Sequence, residues 1–258
     1  MANKTKIVAT IEARMTSSRL PGKVLLPIGK KPALQVLVER LRRVKQIDEI
    51  VIATTVNKTD DAIEDLGKRL GVSVFRGSEE DVLGRVVGAV DSVKGDIIVE
   101  ITGDCPLMDP KVVEYMIDCY VNEKYDYVTN NGAGDSTVRE IPIGMDVQVF
   151  SYKNLKQIAD STTDPEDREH VSLYFYRGGR NIFKIKNAEI RDSWKRKYPV
   201  RLTLDTQEDL ELIRMIHDTL VVKSEFFGLD DILTLCDKQP DILEINSAVK
   251  QKRPTGTR

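Results

Sequence analysis

Lys6-Ile7-Val8-Ala9-Thr10-Ile11 is a short, β-branched, apolar run that empties into Ala13-Arg14-Met15-Thr16-Ser17-Ser18-Arg19-Leu20-Pro21-Gly22-Lys23, a loop with three cations and three hydroxyls in eleven residues. A run with so little polar alternation marks a strand buried on both faces, as in a parallel sheet. Beyond the loop, Pro32 opens Ala33 to Leu41, where Leu34, Leu37, Val38 and Leu41 fall at helical spacing and proline suits a first turn. Strand, polar loop and helix together make the first unit of an α/β fold.

The unit repeats along the chain. Glu49 to Thr54 reads as a strand, about 58–70 as a helix, Val72 to Phe75 as a strand, 81–92 as a helix and Asp96 to Ile101 as a strand. Asp109-Pro110 supplies an N-cap and first residue for a helix over 110–122. Strands alternating with helices of 10 to 15 residues predict a mostly parallel sheet with helices on both faces and ligands at the carboxyl ends of its strands. After about residue 130 the pattern loosens. Asn130 to Asp135 is rich in Gly and Asn, and Gly132-Ala133-Gly134 reads as a turn. Met145 to Phe150 reads as a strand, 151–159 and 166–177 as helical, Val200 to Leu204 as a further sheet strand, and 206–217 as a helix. The expectation is one domain over 1–249 with a small inserted lobe at about 130–198, then a frayed basic tail over 250–258.

Composition narrows the classes. Of 258 residues, 41% are apolar and 31% charged, which excludes collagen-like, low-complexity and wholly disordered chains. No stretch approaches the ~18 to 20 apolar residues of a membrane span. Met1 to Lys6 leads into only Ile7 to Ile11 before Glu12, too short for the apolar core of a signal peptide, so the cytoplasm is the expected location. Cys105, Cys119 and Cys236 are odd in number and widely spaced, which predicts reduced thiols; His170 and His217 lie too far apart for a His-rich metal centre. His217, among Leu212, Ile213, Met215 and Ile216, reads as a packed or surface histidine.

Charge is uneven. Residues 1–45 carry eleven Lys or Arg against Glu12 and Glu39, whereas the whole chain carries a net charge of −2. A basic amino-terminal segment on an acidic body predicts a local anion site and no nucleic-acid face. Arg40, Arg42, Arg43 and Lys45 read as a solvated helix face. Trp194, inside Arg191 to Lys197, reads as an anchor for its loop. The cations that matter are those at the end of the first strand, where Arg14, Arg19, Lys23 and backbone N–H groups suit a polyphosphate. The loop is neither G-x-x-x-x-G-K-[ST] nor G-x-G-x-x-G.

Ala13-Arg14-x-x-Ser17-Ser18-Arg19-Leu20-Pro21-Gly22-Lys23 resembles the signature loop of the cytidylyltransferases that make CMP-activated acidic sugars, the CMP-Kdo and CMP-sialic acid synthetases, and most nearly their spore-coat polysaccharide branch. The similarity continues through Val51 to Thr55, Phe75 to Leu83, Ile101 to Leu107, Gly144-Met145-Asp146, Asp167 to Val171 and Leu202 to Thr206, covering about residues 5–217. The resemblance implies a Rossmann-like, nucleotide-diphospho-sugar transferase-like sheet, and a homodimer built partly from the inserted lobe. It implies CTP as donor, an acidic sugar of the nonulosonic or ulosonic type as acceptor, and Mg²⁺ or Mn²⁺ as cofactor. By the same resemblance Arg14, Arg19, Lys23 and Asp104 are catalytic. Ala13, Ser17, Ser18, Thr54, Gly77, Ser78 and Asp81 join them in binding the nucleotide, with the cytidine between the first loop and Gly77 to Asp81. Asp104 and Asp205 match the metal-binding carboxylates, and each lies just beyond an apolar run, where two distant side chains can share one ion. Asp146, Arg168, Glu169 and His170 fall on the acceptor side, with Arg168 able to pair with a carboxylate. Thr102 stands where the Kdo enzymes carry Gln before Gly-Asp, which points to an acid other than Kdo. Two further readings are a glycosyltransferase on a similar sheet, although no D-x-D stands at a strand end, and a nucleotide-binding homologue without turnover.

Overall fold

The computed structural model describes residues 4–252 except Arg180, Lys223, Glu225 and the side chain of Ser136. The strands are β1 (Ile7–Glu12), β2 (Pro27–Ile28), β3 (Lys31–Pro32), β4 (Glu49–Thr55), β5 (Ser73–Gly77), β6 (Ile97–Thr102), β7 (Tyr127–Thr129), β8 (Gln148–Ser151) and β9 (Ile185–Asn187). The helices are α1 (Ala33–Leu41), α2 (Asp61–Leu70), α3 (Val82–Ser92), α4 (Pro110–Asn122), α5 (Tyr152–Ser161), α6 (Pro165–Glu169), α7 (Leu173–Tyr176), α8 (Gln207–Val221) and α9 (Leu229–Lys238). Seven strands form one sheet in the order β5-β4-β1-β6-β8-β7-β9, while β2 and β3 make a separate small hairpin. β5, β4, β1 and β6 are parallel, β8 is antiparallel to β6 and β7, and β9 is parallel to β7.

Side chains of β1 alternate between two packed faces, the geometry that explains why the run is apolar throughout. Ile7, Ala9 and Ile11 pack with buried residues of α1, α2, α4, α8 and α9. Val8 packs on the opposite face with Leu83, Val86, Ala89 and Val90 of α3, Leu155 and Ile158 of α5, and Phe175 of α7. Polar caps set the helix starts: the Asp81 carboxylate accepts from Gly84 N at 2.8 Å, and Asp109 accepts from Lys111 N at 2.8 Å. Asp109 also accepts from Leu229 N at 2.6 Å, tying the start of α9 to that of α4.

The sheet order reverses direction at β1: the chain adds β4 and β5 on one side of it and then returns to add β6 on the other. At such a switch point the connections diverge and leave a crevice beyond the strands' carboxyl ends. Gly103 keeps the two strand ends close. Its N–H donates to Glu12 O at 2.9 Å, and a Cβ at residue 103 would stand 2.6 Å from that oxygen.

Several expected elements differ. Val200 to Leu204 is not a sheet strand; Arg201 makes a single bridge to Ile143, and Leu204 N donates to Asp104 O at 2.7 Å. The backbone partners of this segment are loops at the sheet's end, and Gly144, at φ +94°, lets it pass within 2.6 Å of where a Cβ would stand. The helix expected over 166–177 is two short helices, because Asp164 and Pro165 start the first early and His170 ends it. Arg168, Glu169 and His170 therefore close a helix and do not begin one. The strand expected over 145–150 starts at Gln148, and residues 127–129 and 185–187 add strands. Arg40 is buried, unlike exposed Arg42, Arg43 and Lys45; it donates to the carbonyls of Met108 and Phe227, both at 2.7 Å, with Phe226 and Phe227 against its guanidinium. Trp194 is buried against Tyr115 as an anchor. The three cysteines are free. Of the basic tail, 253–258 lies outside the described residues. Among the described residues, no helix is long and apolar enough to cross a membrane.

Candidate active site

A cleft of about 350 Å³ opens beyond the carboxyl ends of β1 and β6, at the switch point. Its wall includes Ala13, Arg14, Ser17, Ser18, Arg19 and Lys23 from the first loop, Asp104 from the turn after β6, Asp205 before α8, and Glu169 and His170 at the end of α6. The loop's course is fixed from below. Asp60, fully buried, accepts from Met15 N at 2.9 Å, from the Thr54 hydroxyl at 3.1 Å and from the Thr55 hydroxyl at 2.6 Å. Glu79 holds the loop from the side: it pairs with Arg14 at 3.2 Å and accepts from Thr16 and Asn57. Gly22, at φ +70°, turns the chain so that its N–H meets Met15 O at 2.9 Å and Lys23 enters a short helical turn.

Lys23 is the centre of the site. Its Nζ donates to Asp104 Oδ2 at 2.7 Å and to Asp205 Oδ1 at 2.8 Å. Arg19 also reaches Asp205 Oδ1, at 2.8 Å, while Arg201 takes the other Asp205 oxygen at 2.7 Å and Asp209 at 2.8 Å. Thr102 donates to Asp104 Oδ1 at 2.7 Å. Burial opposes the charge on Lys23, but Asp104 and Asp205 outweigh it and raise its pKa; burial likewise opposes the Asp104 charge, and Lys23 outweighs it and lowers its pKa. Lys23 and Asp104 thus hold each other in their charged forms, within a cluster where cations and carboxylates are interleaved.

Asp104 and Asp205 fit a magnesium-like ion by donor chemistry: both are hard oxygen donors, and both already converge on one cationic atom, Lys23 Nζ. Among the described residues no group of three or more His, Cys, Asp or Glu side chains is arranged to hold a metal, so an ion here would need oxygens from the ligand and from water.

The other expected residues lie outside the cleft wall. Thr54 is fully buried on Asp60. The Ser78 hydroxyl accepts from Asp81 N at 3.1 Å, and Gly77 leaves room for Arg85, whose Cγ would stand 3.1 Å from a Cβ there. Asp81 pairs with Arg168 at 2.8 Å, and Arg168 also donates to Ala159 O at 2.8 Å, so this cation joins α6 to the start of α3. Asp146 pairs with Arg139. His217 packs edge-on to Phe227 with its Nδ1 2.9 Å from Asp218. Sequence reasoning missed Asp60, Glu79, Arg201 and Asp209, which set the loop and the carboxylates, and Glu12, Arg85 and Lys252, which line the cleft. Asp60 alone had a readable signal, an acid just before a helix and shortly after a strand.

The chain matches the model of a cytidylyltransferase family over residues 8–246. It is 34% identical over 240 residues to the spore coat polysaccharide biosynthesis protein SpsF of Bacillus subtilis, covering 91% of this chain and 95% of that one. It is 29% identical over 197 residues to a 3-deoxy-manno-octulosonate cytidylyltransferase of Geobacter metallireducens, covering 67% and 75%. Among solved structures, a cytidylyltransferase from Leptospira borgpetersenii superposes with a TM-score of 0.84 at 32% identity, covering 96% of this chain and all of that one.

Proposed function

From the premise that this chain belongs to the cytidylyltransferase family, we propose that it transfers CMP from CTP to an acidic sugar of the ulosonic or nonulosonic type, for surface polysaccharide synthesis. A sugar hydroxyl oxygen bonds to the α-phosphorus of CTP, the bond from that phosphorus to the bridging oxygen breaks, and pyrophosphate leaves with the electron pair. The hydroxyl proton passes to solvent. Catalysis of such a step is largely positioning and stabilisation of charge on phosphoryl oxygens.

The observation that carries the reading is the convergence of Arg19, Lys23, Asp104 and Asp205 at the strand ends. Arg14, Ser17, Ser18, Arg19 and Lys23 would bind and orient the triphosphate, with charge-assisted donors fixing its oxygens. Lys23 would exchange its carboxylate partners for phosphate oxygens. Asp104 and Asp205 would hold Mg²⁺ or Mn²⁺, which supplies neutralising charge and acidifies a nearby hydroxyl. Glu169 and His170, across the same cleft, would face the acceptor. The acidic sugar follows the name of the Geobacter relative, and a homodimer belongs to the same proposal.

The test is pyrophosphate release from CTP, UTP, GTP and ATP with Mg²⁺ and a panel of sugar acids, with the product mass measured. CTP plus one sugar acid giving a CMP-sugar is the expected result. No pyrophosphate release with any of the four nucleotides overturns the CMP-transfer reading, and release only with a neutral sugar overturns the acceptor reading.

A further inference from the structure

The carboxyl-terminal segment returns to the cleft. After α9, a 3₁₀ turn over Pro240–Glu244 leads to Asn246, which is buried and donates to Arg201 O at 3.1 Å and to Asp209 Oδ1 at 2.8 Å. Farther on, Gln251 accepts from Arg201 Nη1. The same guanidinium holds Asp205 at 2.7 Å and Asp209 at 2.8 Å, so it fastens the last described residues to a carboxylate at the centre of the site. The ends of a chain keep a fixed course only where something ties them down. Here a buried arginine does so, and the next residue, Lys252, lines the cleft together with Arg14, Arg19 and Lys23.

Lys252 differs from the other cations of that wall. Lys23 and Arg19 are engaged with Asp104 and Asp205, and Arg14 with Glu79. Lys252 is exposed and has no hydrogen-bond or ion-pair partner among the described residues. It follows directly on a side chain fastened to Arg201, and consecutive Cα atoms are only about 3.8 Å apart, so it starts beside the group that supports Asp205. An ammonium is a compact charge with three rotatable donors, which suits the oxygens of a tetrahedral phosphate without demanding one direction of approach. A cation with no acid of its own also gives up no ion pair when an anion arrives, so its gain on binding is not offset by a lost partner.

We infer that Lys252 binds the outer phosphates of CTP and meets the charge of the departing pyrophosphate, with Gln251 as the residue that positions it. This rests on the reading that CTP is the donor. As the bond from the α-phosphorus to the bridging oxygen breaks, its electron pair goes to pyrophosphate, which gains a unit of negative charge. A donor already standing at those oxygens stabilises that charge as it develops. The cations of the first loop are locked into the fold by Asp104, Asp205 and Glu79, whereas Lys252 is held through the backbone of a segment whose anchor, Gln251, reaches the support of Asp205.

The experiment is calorimetric binding of CTP and CMP to the full chain with Mg²⁺, for wild type, Lys252→Met, Lys252→Arg, Gln251→Ala and the double variant of Gln251→Ala with Lys252→Met, with melting temperatures of each. Lys252→Met is expected to weaken CTP about tenfold, the scale of one hydrogen bond to a charged group. CMP, which lacks the outer phosphates, is expected to bind it as it binds wild type, and the melting temperature is expected to stay put, since the side chain has no partner to lose. Lys252→Arg keeps the charge and is expected to hold CTP within about threefold of wild type. Gln251→Ala is expected to weaken CTP while Lys252 is present and to add nothing once it is gone, the non-additivity of two residues that act as one. CTP affinity equal to wild type in Lys252→Met overturns the inference and leaves the CTP reading standing. Equal losses for CMP and CTP overturn the assignment to the outer phosphates. A Gln251→Ala effect of the same size with and without Lys252 removes Gln251 as its positioning residue. A wild type that binds no CTP overturns the CTP reading and the inference with it.

Discussion

Asp104 and Asp205 meet at one atom. Lys23 Nζ stands 2.7 Å from a carboxylate oxygen of the first and 2.8 Å from one of the second, although they leave different strand and helix connections. The contact is underwritten by the backbone, since Leu204 N donates to Asp104 O at 2.7 Å and holds the residue before Asp205 against the turn that carries Asp104. The ammonium stands between the two acids where the proposed divalent ion would bind, so that proposal sets ion and lysine in competition for one place.

That competition predicts the behaviour of Lys23→Met. Without the ammonium the two carboxylates lose their shared cation, a loss of about 1–3 kcal/mol per unsatisfied buried group, or roughly 2–4 °C in melting temperature per kcal/mol for a chain of this size. Added Mg²⁺ alone is expected to raise the melting temperature of the variant more than that of wild type. Equal shifts in the two proteins would show that the carboxylates do not bind the ion.

Asp104→Asn keeps the shape of the side chain and removes its charge. Thr102 and Lys23 donate to different oxygens of Asp104, so the amide keeps an acceptor for one of them only; Lys23 still has Asp205, and the fold is expected to survive, as circular dichroism and melting would show. Turnover of CTP is expected to fall by about a hundredfold or more, the scale of losing one charge-positioning group in an active site. Asp205→Asn is expected to do the same, with Arg201 still paired to Asp209 at 2.8 Å. Wild-type rates of pyrophosphate release in either variant would remove that residue from the mechanism.

Asp60 reaches no ligand, yet it holds the loop that does. Asp60→Ala would orphan Met15 N and the hydroxyls of Thr54 and Thr55 at once. The expected cost is about 2–4 kcal/mol in urea unfolding, with the KM for CTP raised more than kcat is lowered. A variant destabilised with unchanged KM would show that the loop keeps its course without this carboxylate.

Periodicity made the first half of the fold legible: β1, β4, β6 and the helices after them bury one stripe or two faces, and apolar spacing reports that directly. It failed at β7 and β9, three residues each, too short to show a period. It misled at Val200 to Leu204, where Val200, Leu202 and Leu204 are buried like strand residues but the backbone pairs with loops. In the site, cations crowded after a strand are visible in a sequence. The meaning of Asp60, Arg201 and Lys252 is not, because each is an ordinary residue until the residues that face it come from elsewhere in the chain.

Glu100 ties stability to pH. It is 6% exposed, and burial raises its pKa to about 7 from 4.5, against the opposing hydrogen bond of Ser172. An acid whose pKa is raised on folding binds its proton more tightly in the native state, so its contribution is intact below about pH 4.5 and is lost as pH rises towards 7. The loss amounts to at most about 3 kcal/mol for one such group. Glu100→Gln keeps the size and removes the titration. Urea midpoints from pH 4.5 to 8 are therefore expected to coincide for the two proteins at the acid end and to separate with rising pH, the variant becoming the more stable. Glu12, shifted in the same direction by burial and by Glu100, leaves a smaller slope in the single variant that Glu12→Gln with Glu100→Gln removes. Parallel curves for wild type and Glu100→Gln across that range would place the titrating proton elsewhere and leave Glu100 ionised in the fold.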